Sequence, residues 1–239
     1  MAIFWRLVFG HFLADFTLQT NFINEWKRTS NVGMIVHCLT HPVCYIILTY
    51  PYLFDVWITV AGVPIHGLLA ISIITATHYL EDIWRVNTIK KYNTPDSTLY
   101  LIWDQVVHLS VIFIFFGTSP DGAMERIVPE QWPVIGTLIV IATHFSVVLV
   151  YFLEKDFFNR DYPDVAEKYV AIGERLLAFL AAAFIGDLRL ALAVVLAALL
   201  LPRITALSLK RPVGAPPNFS WAAGSLLAVA AGLAGRMIL

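Results

Sequence analysis

The chain has 239 residues and a formal net charge of −1, with 59% hydrophobic and only 14% charged residues. A soluble domain is ordinarily about 45–50% apolar and about 25% charged, and a soluble protein of this size has no interior that would bury so much apolar surface. This composition excludes a soluble enzyme, a disordered chain and a disulfide-stapled secreted domain, and the absence of a basic stripe gives no reason to expect a nucleic-acid partner. The sequence therefore predicts an all-α, multi-pass transmembrane helical bundle whose partner is the lipid bilayer.

About eight spans are predicted, because a helix needs ~20 mostly apolar residues to cross the hydrocarbon core. They are expected at residues 3–23, 32–54, 59–81, 99–117 and 133–153, as two short helices within 169–207, and at 219–239. The stretch 169–207 can alternatively form a re-entrant hairpin around its polar Gly186-Asp187-Leu188-Arg189 turn. Polar connectors are expected around Arg85, Lys90, Lys91 and Asp96, as a charged linker from Glu154 to Lys168, and as a loop marked by Pro212, Pro216 and Pro217.

Basic residues give the expected orientation in the membrane. Lys and Arg favour the side reached by the C-terminus of the first helix by twelve to four, and loops rich in these residues face the cytoplasm. Eight spans then place both termini on the non-cytoplasmic side of an inner (plasma) membrane. Residues 1–117 form a four-helix half that carries the polar side chains, and residues 118–239 add further transmembrane helices to the same membrane domain.

Four of the predicted helices each carry two potential metal ligands spaced four residues apart. The pairs are His11 and Asp15, His37 and His41, His78 and Asp82, and Asp104 and His108. A spacing of four puts both side chains on one face of a helix. Five of the seven histidines fall in these pairs, whereas His66 and His144 have no partner at this spacing and are placed outside the site.

The four pairs lie at overlapping heights in the cytoplasmic half of their helices. An ionisable group costs about 2.5–3.5 kcal/mol there, so these side chains are expected to face the bundle interior and to pair or bind a cation. Imidazoles and carboxylates suit a divalent metal, zinc or another first-row transition metal. Eight donors exceed the four positions of one tetrahedral ion, so two ions are compatible with the set.

Polar residues beside the pairs are candidates for orienting the ligands or holding the substrate. Gln19 is one turn beyond Asp15, Gln105 adjoins Asp104, and amides of this kind orient metal ligands. Lys27 and Arg85, at the cytoplasmic edge, can hold an anionic substrate group. Basic residues at this depth also serve topology and lipid head groups, and the sequence leaves both roles open.

The motifs resemble a known family. The resemblance is carried by His11-Phe-Leu-Ala-Asp15-Phe-Thr-Leu-Gln19, Lys27, His78-x-x-x-Asp82 and Asp104-Gln105-x-x-His108. Over roughly residues 5–117 these motifs resemble the bacterial domain-of-unknown-function 3307 family, in which a Lys takes the place of Arg85. That resemblance implies no activity. The repeated helical pairs are also similar to those of the zinc-dependent phospholipase C and P1 nuclease class and of membrane-bound metal-dependent hydrolases, which implies phosphoester hydrolysis.

Three functions follow from these residues. The first is a metal-dependent hydrolase of a phosphoester or lipid-like substrate, in which Asp15, Asp82 and Asp104 are the catalytic carboxylates and one of them accepts a proton. The second is a divalent-metal carrier or sensor that uses the same cluster. The third is a structural membrane protein whose polar pairs only lock helix packing. The first four helices contain few helix breakers, which favours a one-sided site over a carrier.

Overall fold

The computed structural model describes residues 2–116, 131–208 and 218–239, and its helical architecture confirms the all-α class. The chain forms two compact units, Met1–Thr137 and Leu138–Leu239. The domain boundary expected near residue 117 stays a prediction, because it borders residues outside the described ranges. The loop expected at Pro212, Pro216 and Pro217 also lies outside them.

The first unit contains most of the polar side chains. Its helices are α1 (Ala2–Phe12), which continues into a π-helical turn (Leu13–Thr17), α2 (Asn21–Thr29), α3 (Asn31–Thr49), α4 (Gly67–Tyr92), α5 (Thr98–Phe115) and the start of α6 (Gln131–Val140). The strands β1 (Val56–Val60) and β2 (Val63–His66) form an antiparallel hairpin between α3 and α4.

Within its described residues, the regular elements of the second unit are all helical. A second π-helical turn (Ile141–Phe145) joins α6 to α7 (Ser146–Phe158), and α8 (Val165–Phe184), α9 (Leu188–Ser208) and α10 (Asn218–Ile238) follow. The buried Arg175 of α8 donates a hydrogen bond to Ser146 Oγ at 2.9 Å. Gly224 of α10 makes room for this guanidinium, since a Cβ at that position would lie 2.2 Å from it.

The first predicted span, 3–23, is interrupted in the structure. After the π-helical turn the chain leaves the helix, and Thr20 Oγ1 accepts a hydrogen bond from Ile23 N at 3.3 Å to start α2. A threonine in this capping position begins a new helix because it satisfies a free backbone N–H group. Lys27, expected in a loop, therefore lies on a helix. Gly33 allows α2 to pack closely on α3, where a Cβ would lie 2.5 Å from the Trp26 backbone.

The third predicted span, 59–81, is wrong at its start, because residues 56–66 form the hairpin. Ala61 and Gly62 both have positive φ, 50° and 82°, as the two-residue turn of a hairpin requires. The β-branched residues on either side favour strands over a helix. At its other end α4 continues to Tyr92, so that Arg85 lies on the helix, and Asn93 ends it in the left-handed conformation.

Within the described residues, four helical stretches are long and apolar enough to cross a membrane. They are Asn31–Tyr52, Thr98–Phe115, Gln131–Phe158 and Phe219–Ile238. The count of about eight spans is therefore not supported. The α1 helix has only 11 residues before its π-helical turn, α4 and α8 carry several charged side chains, and the apolar part of α9, Arg189–Leu200, is shorter. The stretch 169–207 does contain parts of two helices, which meet at residues 185–187.

The surface and interior of the first unit have the distribution expected of a chain surrounded by lipid. Leu39, Val43 and Ile47 on α3 are 55–69% exposed, whereas His37 and His41 on the opposite face are fully buried. Apolar residues thus point outward and polar residues inward, as they do where the solvent is hydrocarbon. This arrangement places the polar side chains of several helices in one interior.

Candidate metal centre

All four sequence-predicted pairs lie together inside the first unit. None of the eight side chains is more than 6% exposed. The α1 helix with its π-helical turn, and α3, α4 and α5, contribute one pair each, because the spacing of four directs both members to the same face. We refer to these eight residues and Glu81, which contacts His108, as the metal cluster. Its members are His11, Asp15, His37, His41, His78, Glu81, Asp82, Asp104 and His108.

Asp15 lies at the centre of the imidazoles. Its Oδ1 atom is 3.3 Å from His37 Nε2, 3.2 Å from His41 Nε2 and 3.8 Å from His78 Nε2. Its Oδ2 atom is 3.4 Å from His11 Nε2. Asp15 lies in the π-helical turn Leu13–Thr17, and turns of this kind are frequent at functional sites. One carboxylate therefore faces four histidine side chains from three helical segments.

The histidine rings pack closely against one another along the cluster, with their planes tilted. The ring centroids of His41 and His78 are 3.8 Å apart, and those of His78 and His108 are 4.0 Å apart. Close packing of imidazoles disfavours charge on all of them at once, because like charges repel strongly where water is excluded. Neutral imidazoles are the form in which histidine binds a metal.

Some close contacts in the cluster are poorly oriented for hydrogen bonding. Among the described residues, His41 Nε2 and Asp15 Oδ1 make no well-oriented hydrogen bond, although they are 3.2 Å apart. Buried polar atoms are nearly always hydrogen-bonded, so atoms of this kind call for a physical explanation. A cation between them would accept both lone pairs.

Glu81 joins the cluster, and the sequence reasoning missed it. His108 Nε2 is 3.2 Å from Glu81 Oε2, and the glutamate is 9% exposed. Its spacing of three from His78 also puts it on the same helix face, which was the available signal. Cys38 lies near His78 and Asp82, so that one atom from each comes within 4.8 Å of the others.

Of the two predicted amides, one reaches the metal cluster. Gln105 Nε2 donates to Asp15 Oδ2 at 3.3 Å and to Asp104 Oδ2 at 2.9 Å, and its Oε1 is 3.1 Å from His11 Nε2. Gln19 lies beyond the π-helical turn, and among the described residues its buried Oε1 has no hydrogen-bond partner. The break after Thr17 explains the difference, since Gln19 no longer continues the face of Asp15.

Lys27 and Arg85 both contact carboxylates of the metal cluster. Lys27 Nζ is 3.3 Å from Asp82 Oδ2 and 3.2 Å from His37 Nε2. Arg85 bridges two carboxylates, with NH1 3.1 Å from Asp104 Oδ1 and NH2 2.9 Å from Asp96 Oδ1. The role expected from the sequence was to hold an anionic substrate, whereas here both side chains hold carboxylates of the chain itself.

Asp96, in the connector between α4 and α5, forms ion pairs with both Arg85 and Arg28. Burial raises the pKa of its carboxyl, but the adjacent guanidiniums of Arg85 and Arg28 outweigh burial and hold the pKa below its ordinary value. Because an unfolded Asp titrates near pKa ~3.9, this group stabilises the folded state above about pH 4, and the contribution is lost as the pH falls through the folded pKa.

Acid is therefore expected to destabilise the wild-type protein more steeply than Asp96→Asn, which lacks this titration. Thermal unfolding in detergent between about pH 3 and pH 6 measures the difference in slope. Equal slopes for the two proteins would show that Asp96 is not linked to folding in this way.

The geometry defines a helical protein with helices suited to a membrane and a buried histidine–carboxylate cluster in its first unit. A profile of the family described as Protein of unknown function (DUF3307) matches residues 3–135, more than half of the chain, and the chain belongs to this family. The family resemblance predicted from the motifs is thus confirmed. No curated protein and no solved structure shows significant similarity to the chain, and the looser similarity to hydrolases stays a hypothesis.

Proposed function

We propose that the metal cluster binds a divalent first-row transition metal, such as zinc, and that the bound metal hydrolyses a phosphoester or related bond of a membrane-accessible substrate. The observation that carries the proposal is the set Asp15, His37, His41 and His78, whose donor atoms all lie within 4.8 Å of one another and are buried. Imidazole nitrogens and carboxylate oxygens are zinc ligands, and three of these four donors would leave the fourth position of a tetrahedral zinc open to water.

A metal accounts for the metal cluster better than hydrogen bonding alone. Interhelical hydrogen bonds in membranes contribute on average only about 0.6 kcal/mol, which is small beside the cost of placing several ionisable groups at this depth. A divalent cation offsets that cost directly. It also accounts for the close approach of Asp15 Oδ1 and His41 Nε2 in an orientation that is poor for a hydrogen bond.

The interior beyond the metal cluster favours an enzyme over a carrier. One turn further toward the hairpin end, each of the four contributing segments places a large apolar side chain that is at most 2% exposed. These side chains are Leu7, Tyr45, Ile74 and Ile112. A carrier needs polar groups along a path to both faces, whereas this layer closes the cluster on one side.

A divalent metal held by residues of the metal cluster would supply Lewis-acid chemistry, which polarises a scissile bond and lowers the pKa of an attacking water. One of Asp15, Asp82 and Asp104 would accept the proton of that water. Gln105 holds two of these carboxylates through its amide, and Lys27 and Arg85 hold Asp82 and Asp104. Fixed orientation of this kind increases the reactivity of a metal site.

Purified protein loaded with Zn²⁺ is expected to hydrolyse bis(p-nitrophenyl) phosphate, p-nitrophenyl phosphate or a short-chain phospholipid in detergent. Activity should be lost on chelation and restored by metal. Protein that holds metal but turns over none of these substrates would contradict the hydrolase, and metal uptake into vesicles containing the protein would then favour the carrier.

We further propose that the protein resides in the inner (plasma) membrane with both termini on the non-cytoplasmic side, as the distribution of Lys and Arg indicates. C-terminal fusions to a reporter that is active only outside the cytoplasm are expected to be active, and fusions to one that is active only inside should be silent. The reverse pattern would overturn the orientation, and it would indicate an odd number of spans.

A further inference from the structure

We propose a second metal-ion site, formed by Glu81, Asp82, Asp104 and His108, which prefers a harder cation such as Mn²⁺. The inference rests on the proposed metal centre and deepens it, because it assigns a ligand role to Glu81. One donor atom from each of these residues lies within 4.8 Å of the others. The set shares no member with Asp15, His37, His41 and His78.

The residues of this second set are buried, and several of their donor atoms make no well-oriented hydrogen bond. Glu81 Oε2 and His108 Nε2 face each other at 3.2 Å as an ion pair, but among the described residues neither makes a well-oriented hydrogen bond, and the same holds for Glu81 Oε1. Asp104 Oδ1 accepts no hydrogen bond either, although Arg85 NH1 lies 3.1 Å away. Several buried atoms without a hydrogen bond thus lie close together, as they do around a cation.

The two sets differ in chemistry. The first offers three imidazole nitrogens and one carboxylate, whereas the second offers three carboxylates and one imidazole. Imidazole-rich sites suit zinc, copper and nickel, and carboxylate-rich sites suit manganese and magnesium. The composition of the second set therefore favours Mn²⁺ over Zn²⁺, within the same cluster.

The net charge of the site with two bound ions indicates which substrate class it would favour. The site holds the four carboxylates of Asp15, Glu81, Asp82 and Asp104 and two basic side chains, of which Lys27 contacts Asp82 and Arg85 contacts Asp104. With neutral imidazoles these groups sum to −2, so one divalent ion neutralises them and a second makes the site +2. A dianionic phosphate monoester balances that charge, which makes this substrate class the natural one for the doubly loaded site.

The test uses full-length protein in detergent, loaded with one equivalent of Zn²⁺ and then titrated with Mn²⁺, with free Mn²⁺ followed by electron paramagnetic resonance. Wild type is expected to bind one Mn²⁺. Glu81→Gln should keep its zinc but bind Mn²⁺ at least about tenfold more weakly. Glu154→Gln, which alters a buried helix carboxylate of the second unit, should match wild type.

A second measurement uses wild-type protein only. Pulsed electron paramagnetic resonance on the bound Mn²⁺ should show coupling to one histidine nitrogen, because His108 is the one histidine in the second set. Coupling to three nitrogens, unchanged Mn²⁺ affinity in Glu81→Gln, or loss of zinc together with Mn²⁺ in that variant would overturn the second site. If zinc-loaded wild type binds no Mn²⁺, the second site fails and the proposed zinc centre stands, whereas wild type that holds no zinc removes the proposed function as well.

Discussion

Asp15→Asn is expected to weaken metal binding at least about 100-fold while the protein still inserts and folds. Removing groups that merely orient ligands costs 10–100-fold in metal affinity, and Asp15 is proposed as a ligand itself. Its Oδ1 faces His37, His41 and His78, so the substitution removes the negative charge from the middle of the imidazoles. Metal content after equilibrium dialysis against a fixed Zn²⁺ concentration measures the loss.

His144→Gln is the matched control, because His144 lies outside the metal cluster in the π-helical turn Ile141–Phe145 and should leave metal content unchanged. Asp82→Asn and Asp104→Asn should also hold less metal than wild type. Wild-type metal content in all three Asp variants would leave helix packing as the role of the cluster, as would a wild type that holds no metal under any reconstitution.

Arg85→Met is expected to destabilise the fold by about 3–5 kcal/mol, the usual cost of removing one partner from a buried ion pair. The Arg85 side chain is only 11% exposed and contacts both Asp96 and Asp104, so its loss leaves two buried carboxylates without their main counter-charge. Unfolding in detergent by heat or denaturant measures the change.

Arg85→Lys separates charge from shape. A compact ammonium keeps the charge but lacks the planar fork that reaches two carboxylates at once, so we expect a loss smaller than that of Arg85→Met but still measurable. Arg189→Met, on an exposed position of α9, should change stability by less than about 0.5 kcal/mol. If Arg85→Met were as stable as this control, the bridge would have no structural role.

The convergence of the four pairs was predictable because two physical constraints act together. Helix geometry fixes which side chains share a face, and the cost of burying ionisable groups in an apolar bundle leaves them only the interior. His78 and Asp82 illustrate this. The sequence alone predicts that they lie near Asp15, because both share one face of α4 and both are ionisable.

The hairpin and the break in the first helix could not be predicted from hydropathy. They depend on single residues, and hydropathy is averaged over a long window. Residues 56–66 are apolar enough to extend a span, and only the Ala61-Gly62 turn and the β-branched neighbours distinguish a hairpin. Thr20 interrupts the first helix through one capping hydrogen bond. Glu81 falls outside the four pairs because it follows His78 by three residues, whereas the members of each pair are four residues apart.

The hairpin between α3 and α4 also provides a reference point for the depth of the metal cluster. Its outer edges leave backbone N–H and C=O groups that hydrocarbon cannot satisfy, so in the proposed membrane location it would lie at a membrane surface. At a rise of 1.5 Å per residue, His78 lies about 16 Å and Asp82 about 22 Å from Gly67 along α4. In a hydrocarbon core about 30 Å thick, with α4 along the membrane normal, Asp82 would then lie within about 8 Å of the opposite face. A membrane-impermeant chelator should therefore strip the metal from that face of a sealed vesicle and leave it in place when added on the hairpin side.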